Sequence, residues 1–181
     1  MYQDVIIAGF GGQGVLLIGN LLAYAGMHAG LNVTYIPVYG VEMRGGTANC
    51  TVVLSKEEIG SPIIHTPQSI IVLNRPSLDK FQPQLRDGGI QVVNTSLIDP
   101  SLIEKKRVKT VAVACNDIAD KLGNPRLVNL ALGAYVQASG CVTMETVEKS
   151  LTEVISSHYS HLIPKNAEAL RAGAAAATGQ V

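Results

Sequence analysis

The chain has little charge and few aromatic rings. Charged residues fill 15% of its 181 positions and aromatic residues 4%, while 47% are hydrophobic. A core of Val, Ile, Leu and Ala follows, and so does a surface with too few charges to be solvated everywhere; such chains often hide part of their surface against partners. Basic and acidic residues balance at 14 each. Apart from Lys105-Lys106-Arg107 there is no cationic run, so the footprint of a nucleic-acid binder is missing. No uninterrupted apolar stretch reaches the roughly 20 residues that a membrane-spanning helix needs. The start, Met1-Tyr2-Gln3-Asp4, shows neither a basic region nor a cleavage site, and a soluble, cytoplasmic protein is expected. Cys50, Cys115 and Cys141 are well separated and form no C-x-x-C pair, so neither a zinc site nor an iron–sulfur cluster can be built from this chain alone. Their apolar settings predict small buried residues rather than reactive thiols. His28, His65, His158 and His161 are scattered without a recognisable partner, and no catalytic acid, base or nucleophile is evident.

What is present alternates. Asp4 to Gly9 is a β-branched run ending in glycine, as in a buried parallel strand; Val15 to Met27 is helical; Leu31 to Ile36 is a second strand, completing a βαβ unit. Pro37 to Gly46 reads as a loop. Thr47 to Ser55 follows as a strand with Ala48, Cys50, Val52 and Leu54 on one face. Strands are expected again at 69–73, 90–93 and 108–113, with a short helix from Ser77 to about Leu85. From Asn116 the pattern is helical. Gly123 closes one short helix, and Asn124-Pro125, a cap followed by Pro at the first helical position, predicts another over 126–138. Helices over about 143–158 and 165–174 and a fraying Ala-Gly tail complete the reading. The fold class is α/β: a Rossmann-like three-layer single domain over residues 1–181, with a mostly parallel sheet, helices on both faces and a helical C-terminal part.

Two glycine loops carry the chemistry. Gly9-Phe10-Gly11-Gly12-Gln13-Gly14 fits G-x-G-x-x-G between a strand and a helix. Glycines allow a tight turn and close backbone approach, and free N–H groups at the helix start favour an anion such as a pyrophosphate; the alternative is a turn that only packs helix on sheet. A dinucleotide site would place an acid at the end of the second strand, roughly 20 residues on, to hold the ribose hydroxyls. Here that strand ends Tyr35-Ile36-Pro37 and the first acid is Glu42, which weighs against classical NAD binding. The second loop is Tyr39-Gly40-Val41-Glu42-Met43-Arg44-Gly45-Gly46. It should lie beside the first at one rim of the sheet. Arg44 offers a forked donor for phosphate or carboxylate, and Glu42 could hold it; equally, the pair could fix the loop or a subunit contact. The candidate cofactor-binding set is therefore Gly9, Gly11, Gly12, Gln13, Gly14, Glu42, Arg44, Gly45 and Gly46.

Together these loops resemble the γ subunit, or γ domain, of 2-oxoacid:ferredoxin oxidoreductases. The likeness continues through Glu58-Ile59-Gly60-Ser61-Pro62, Asp87-Gly88-Gly89 and Asn129-Leu130-Ala131-Leu132-Gly133-Ala134, and so covers most of the chain. The resemblance implies a place in a complex of anaerobic metabolism that decarboxylates a 2-oxoacid on thiamine diphosphate with its Mg, passes electrons through iron–sulfur clusters to ferredoxin, and releases an acyl-CoA. Those cofactors would sit mainly on thiamine-binding α and β subunits and a ferredoxin-like δ subunit. The γ part would pack against them and form part of the CoA side, while the isolated chain would be inactive. Pyruvate, 2-oxoglutarate and branched-chain 2-oxoacids are all open as substrates, because the 2-oxoacid would contact other subunits. The alternatives are the small subunit of an indolepyruvate-type ferredoxin oxidoreductase, a free-standing nucleotide-binding dehydrogenase, and a structural subunit whose glycine loops only dock partners.

Overall fold

The alternating apolar runs assemble into one six-stranded sheet, in a computed structural model that describes residues 1–39, 47–127 and 129–179. The strands are β1 Tyr2–Phe10, β2 Asn32–Tyr39, β3 Thr47–Ser55, β4 Ser69–Val72, β5 Ile90–Asn94 and β6 Lys109–Val113, in the order β2-β3-β1-β4-β5-β6. β1, β4, β5 and β6 are parallel neighbours, and β3 is antiparallel to both β1 and β2. The helices are α1 Val15–His28, α2 Arg75–Phe81, α3 Cys115–Lys121, α4 Leu130–Ser139, α5 Met144–Val154 and α6 Ile163–Thr178.

The period-2 side-chain alternation of each strand sorts the core into two layers. Val5 and Ile7 of β1, Ile71 of β4 and Val92 of β5 join Cys50, Val52 and Leu54 of β3 under α1, α4 and α6. Ile6, Ala8, Ile70, Val72 and Val93 point the other way, to Leu78 and Phe81 of α2 and to Ile98 and Ile103 of the following connections. Burial on both faces explains why these strands are continuous apolar runs. Helices thus flank both faces; on the second, α2 packs over β1 and β4, while β2 and β3 there carry Ile36, Asn49, Thr51, the buried Val53 and the exposed Val38.

Several expectations are corrected by the tertiary arrangement. β1, α1 and β2 do form consecutive elements, and β1 and β2 point the same way, but β3 is inserted between them and they do not pair. β2 runs on through Pro37, because it is the edge strand and a proline there forfeits no ladder bond on its outer side. α2 is capped not by Ser77 but by Asn74, whose Oδ1 accepts the Ser77 N–H at 3.0 Å. Asn124-Pro125 does not open a helix. The Asn124 side chain accepts the Arg126 N–H and its carbonyl accepts the Leu127 N–H, a local turn, and α4 starts at Leu130. Thr143 caps α5 through the Thr146 N–H without any acid. α5 ends at Val154, and α6 begins earlier and continues further than its sequence pattern, to Thr178. His28, expected to be partnerless, closes α1 with Nε2 2.7 Å from Glu153 of α5. In this arrangement Nε2 has no acceptor in hydrogen-bond geometry among the described residues.

α4 is apolar on every side because it lies between β5, β6 and α6, and its residues Leu130 to Val136 are all buried. Glycine decides how closely α4 and α6 cross. A Cβ on Gly133 would fall within the Leu170 carbonyl, and one on Gly173 within the Leu130 carbonyl, so the two backbones touch with no side chain between them. Gly133→Ala should therefore cost about 3 kcal/mol, the upper part of the overpacking range. Gly60→Ala, in open space, should stay within about 0.5 kcal/mol of the parent. Urea unfolding midpoints measure both, and equal midpoints would refute the tight crossing.

Candidate functional site

The parallel strands bring Phe10, Val72, Asn94 and Val113 to one rim of the sheet. From this rim α1 turns to one face and α2 to the other, so the gap between β1 and β4 is the kind of crevice where open α/β sheets bind ligands. The first glycine loop sits at this gap. Gly9 is inside β1, Gly11 and Gly12 form the turn, and Gly14 is the N-cap of α1. Gly12 and Gly14 have φ of 97° and 72°, left-handed values that a Cβ disfavours.

Gln13 is spent on holding the loop. Its Oε1 accepts the Phe10 N–H at 2.6 Å and the Asn74 Nδ2–H at 2.9 Å, and its Nε2 points to the Leu73 carbonyl at 3.4 Å. Asn94 continues the chain of amides: its Nδ2 donates to the Leu73 carbonyl at 3.2 Å and to Asn116 Oδ1 at 2.9 Å, while its Oδ1 accepts the Cys115 N–H at 3.1 Å. Ser96 Oγ takes the N–H groups of Asn116 and Asp117. The first amides of α2 and α3 are thereby satisfied from within. Among the described residues, those of α1 receive no capping side chain, so α1 opens at this rim without a side-chain cap.

Glu42, Arg44, Gly45 and Gly46 lie outside the described residues. The chain leaves for that segment from Tyr39 and returns at Thr47; Tyr39 is in register with Ala48, and Thr47 with Phe10. Thr47, where the second loop ends, thus adjoins the first, while Tyr39, where it begins, lies one strand further out on β2.

Among the described residues one cleft adjoins the first loop and another opens beyond it, beside Leu17 of α1. One, of about 210 Å³, is lined by Gly12, Gln13, Asn94, Cys115, Asn116 and Arg126. The other, of about 670 Å³, is lined by Leu17, Arg126, Ile155, Tyr159, Leu162 and Asn166 among others. Sequence reasoning missed Asn74, Asn94, Asn116 and Arg126. A signal existed for three of them, since an asparagine follows or ends each of the last three parallel strands; Arg126 was masked by its assignment to a helix.

All three thiols are buried, and burial pushes Cys50 and Cys115 up to about 12 and raises Cys141. In the native chain at pH 8 Ellman's reagent should therefore react with none of them, and with all three once denaturant is added; rapid labelling of Cys115 from its cleft would contradict this. Gln13→Ala strips partners from the Phe10 N–H and the Asn74 amide together. A loss of about 1–3 kcal/mol in chemical denaturation is expected, and an unchanged midpoint would show that the clamp contributes nothing.

Residues 4–176 match the family of pyruvate ferredoxin/flavodoxin oxidoreductases. Ketoisovalerate oxidoreductase subunit VorA of Methanothermobacter marburgensis is 39% identical over 173 residues, 94% of this chain but 35% of that protein, so the chain spans little more than a third of its length. The pyruvate/ketoisovalerate oxidoreductases common subunit gamma of Thermococcus kodakarensis is 32% identical, with 92% of each chain covered. The fold is similar to part of the 2-oxoglutarate:ferredoxin oxidoreductase from Magnetococcus marinus, solved with 2-oxoglutarate, coenzyme A and succinyl-CoA bound. The TM-score is 0.88 at 22% identity, with 99% of this chain and 32% of that one covered. Matched along almost its whole length, the chain belongs to the pyruvate ferredoxin/flavodoxin oxidoreductase family.

Proposed function

We propose that the chain is the γ-type part of a 2-oxoacid:ferredoxin oxidoreductase, which converts a 2-oxoacid and CoA to acyl-CoA and CO₂ with electrons passed to ferredoxin. Within it, this chain contacts the thiamine-binding and ferredoxin-like parts and forms a portion of the CoA-side surface. The observation that carries the CoA reading is the first turn of α1, entered through left-handed Gly12 and Gly14 and left without a capping side chain. Such a turn presents N–H donors to phosphate oxygens. Arg44 adds a guanidinium from the adjoining loop, with Glu42, Gly45 and Gly46 shaping its approach.

The substrate class follows from relatives named for ketoisovalerate and for pyruvate. Subunit contact is supported by the helix-free face of β2 and β3, where Val38 and, at the end of β1, Phe10 stay exposed. The residues here do not fit an iron–sulfur cluster or a magnesium ion: the cysteines are buried apart, and among the described residues no three His, Cys, Asp or Glu side chains converge. Thiamine diphosphate with its Mg and the clusters are accordingly assigned to partner subunits, where they supply decarboxylation and electron transfer. A dinucleotide reading loses ground, because β3 stands where the strand carrying the ribose acid would pair with β1.

Co-expressed with its partner subunits, the chain should support 2-oxoacid- and CoA-dependent reduction of a viologen dye, with none from the purified chain alone. Arg44→Ala should raise the KM for CoA about ten-fold or more with assembly intact, the scale of a lost hydrogen bond to a charged group. Loss of assembly without a change in CoA dependence would replace the CoA role by docking.

A further inference from the structure

Positive charge is concentrated where β5 and β6 begin, at the rim opposite the glycine loop. The turn 86–89 ahead of β5 is tied to the start of β6. The Gly88 N–H donates to the Arg107 carbonyl at 2.8 Å, and the Lys109 N–H to the Gly89 carbonyl at 2.8 Å. These bonds gather Arg86, Lys105, Lys106, Arg107 and Lys109 at one corner, and all five residues are exposed. Two acids sit among them: Asp87, paired with Arg107, and Glu104, which accepts the Lys106 N–H at 2.7 Å. A third, Asp4, is buried beside the turn and accepts the Gln68 N–H at 2.7 Å. The corner surface thus holds five of the chain's 14 cations and two of its 14 acids, a net +3 in a chain of net charge zero.

Two pits of about 380 Å³ each open here. One is lined by Gln3, Gln68, Arg86 and Gly88 among others, the second by Gln82, Glu104, Lys105 and Lys106 among others. Arg86, Lys105 and Lys106 make no ion pair among the described residues. Unpaired cations at the walls of a pit are recognition groups for carboxylates. No aromatic ring on which a base could stack lines either pit, which favours an acidic protein over nucleic acid. Lysine is depleted from the cores of lasting interfaces, whereas exposed charge speeds encounter and is weakened by salt. The corner therefore suits a partner that binds and leaves, unlike the bare face of β2 and β3. Of the macromolecules in the reaction proposed above, only the electron acceptor does so. We propose that this corner docks an acidic electron-carrier protein, with its Asp and Glu side chains entering the two pits against Arg86, Lys105 and Lys106. This rests on the oxidoreductase reading and deepens it by naming the surface that the acceptor meets. The corner supplies attraction and orientation, and this chain passes no electron itself.

The test is binding of an acidic ferredoxin to the assembled complex, measured by surface plasmon resonance at low and high ionic strength. Lys105→Glu combined with Lys106→Glu should weaken it about ten-fold or more at low ionic strength and flatten its salt dependence. Lys56→Glu combined with Lys121→Glu makes the same charge change at exposed positions outside the corner. That pair should stay within about two-fold of the parent, because distant charges are screened. A parent complex that binds no ferredoxin overturns the corner, and so does an equal effect of the two pairs. Failure of the first pair to assemble also overturns it, since the lysines would then hold a permanent subunit. A DNA duplex bound through Lys105 and Lys106, with ferredoxin affinity unchanged by their reversal, replaces the acidic protein by nucleic acid. Viologen reduction with 2-oxoacid and CoA is read in parallel. Its absence from the parent defeats the oxidoreductase reading alone, because ferredoxin affinity is measured without turnover.

Discussion

The carboxamide of Gln13 is the joint on which the rim at the strand ends depends. A loop with two left-handed glycines has few conformational limits of its own, and ordering it carries an entropic cost. Gln13 offsets that cost by fastening the turn at once to the end of β1, through the Phe10 N–H, and to the exit of β4, through Asn74 and Leu73. Asn94 and Asn116 carry the same fastening to β5 and to the start of α3. Each bond contributes only about 1 kcal/mol net. Joined in a partly buried network, they fix the relative heights of three strand ends and the start of α3, and with them the shape of the cleft beside Arg126.

The insertion of β3 sets the chemistry that this rim can perform. In a dinucleotide-binding sheet the second parallel strand pairs with the first and brings its terminal acid to the ribose. Here β3 pairs with β1 from Tyr2 to Phe10 and displaces β2 to the sheet edge. The glycine loop keeps two left-handed glycines ahead of α1 but has no such strand end beside it. In its place stands the entry to the 39–47 connection on one side and the Arg126 turn on the other.

Coverage of the sheet is uneven, and that unevenness has a physical reading. Among the described residues α1, α4 and α6 pack on one face, with α4 and α6 in glycine-mediated backbone contact, while α2 packs on the other. The bare part, over β2 and β3, carries threonine, asparagine and valine rather than Lys or Glu. A sheet face with so few charges is suited to burial against another protein, which accords with the 15% charge content of the chain.

The α/β class, the six strands and the first glycine loop were legible in the sequence because each depends on local pattern: β-branched runs of strand length, helical spacing of apolar residues, and glycine at positions that need positive φ. Thr47–Ser55 could be bounded to the residue for that reason, and Gly140 marked the end of α4 with φ of 63°. The Asn124-Pro125 signal misled because an asparagine side chain serves an isolated turn as well as a helix start, and only the packing of α4 between sheet and α6 chooses between them. Strand order was likewise beyond local pattern, since a strand's residues specify burial but not which neighbour provides it. Sequence by itself determined the elements, the lack of charge and the glycine turn ahead of α1. Tertiary structure alone decided that β3 separates β1 from β2, that three asparagines and Gln13 meet at one rim, and that Arg126 faces two clefts. Those facts join residues tens of positions apart, and no short-range preference encodes such distances.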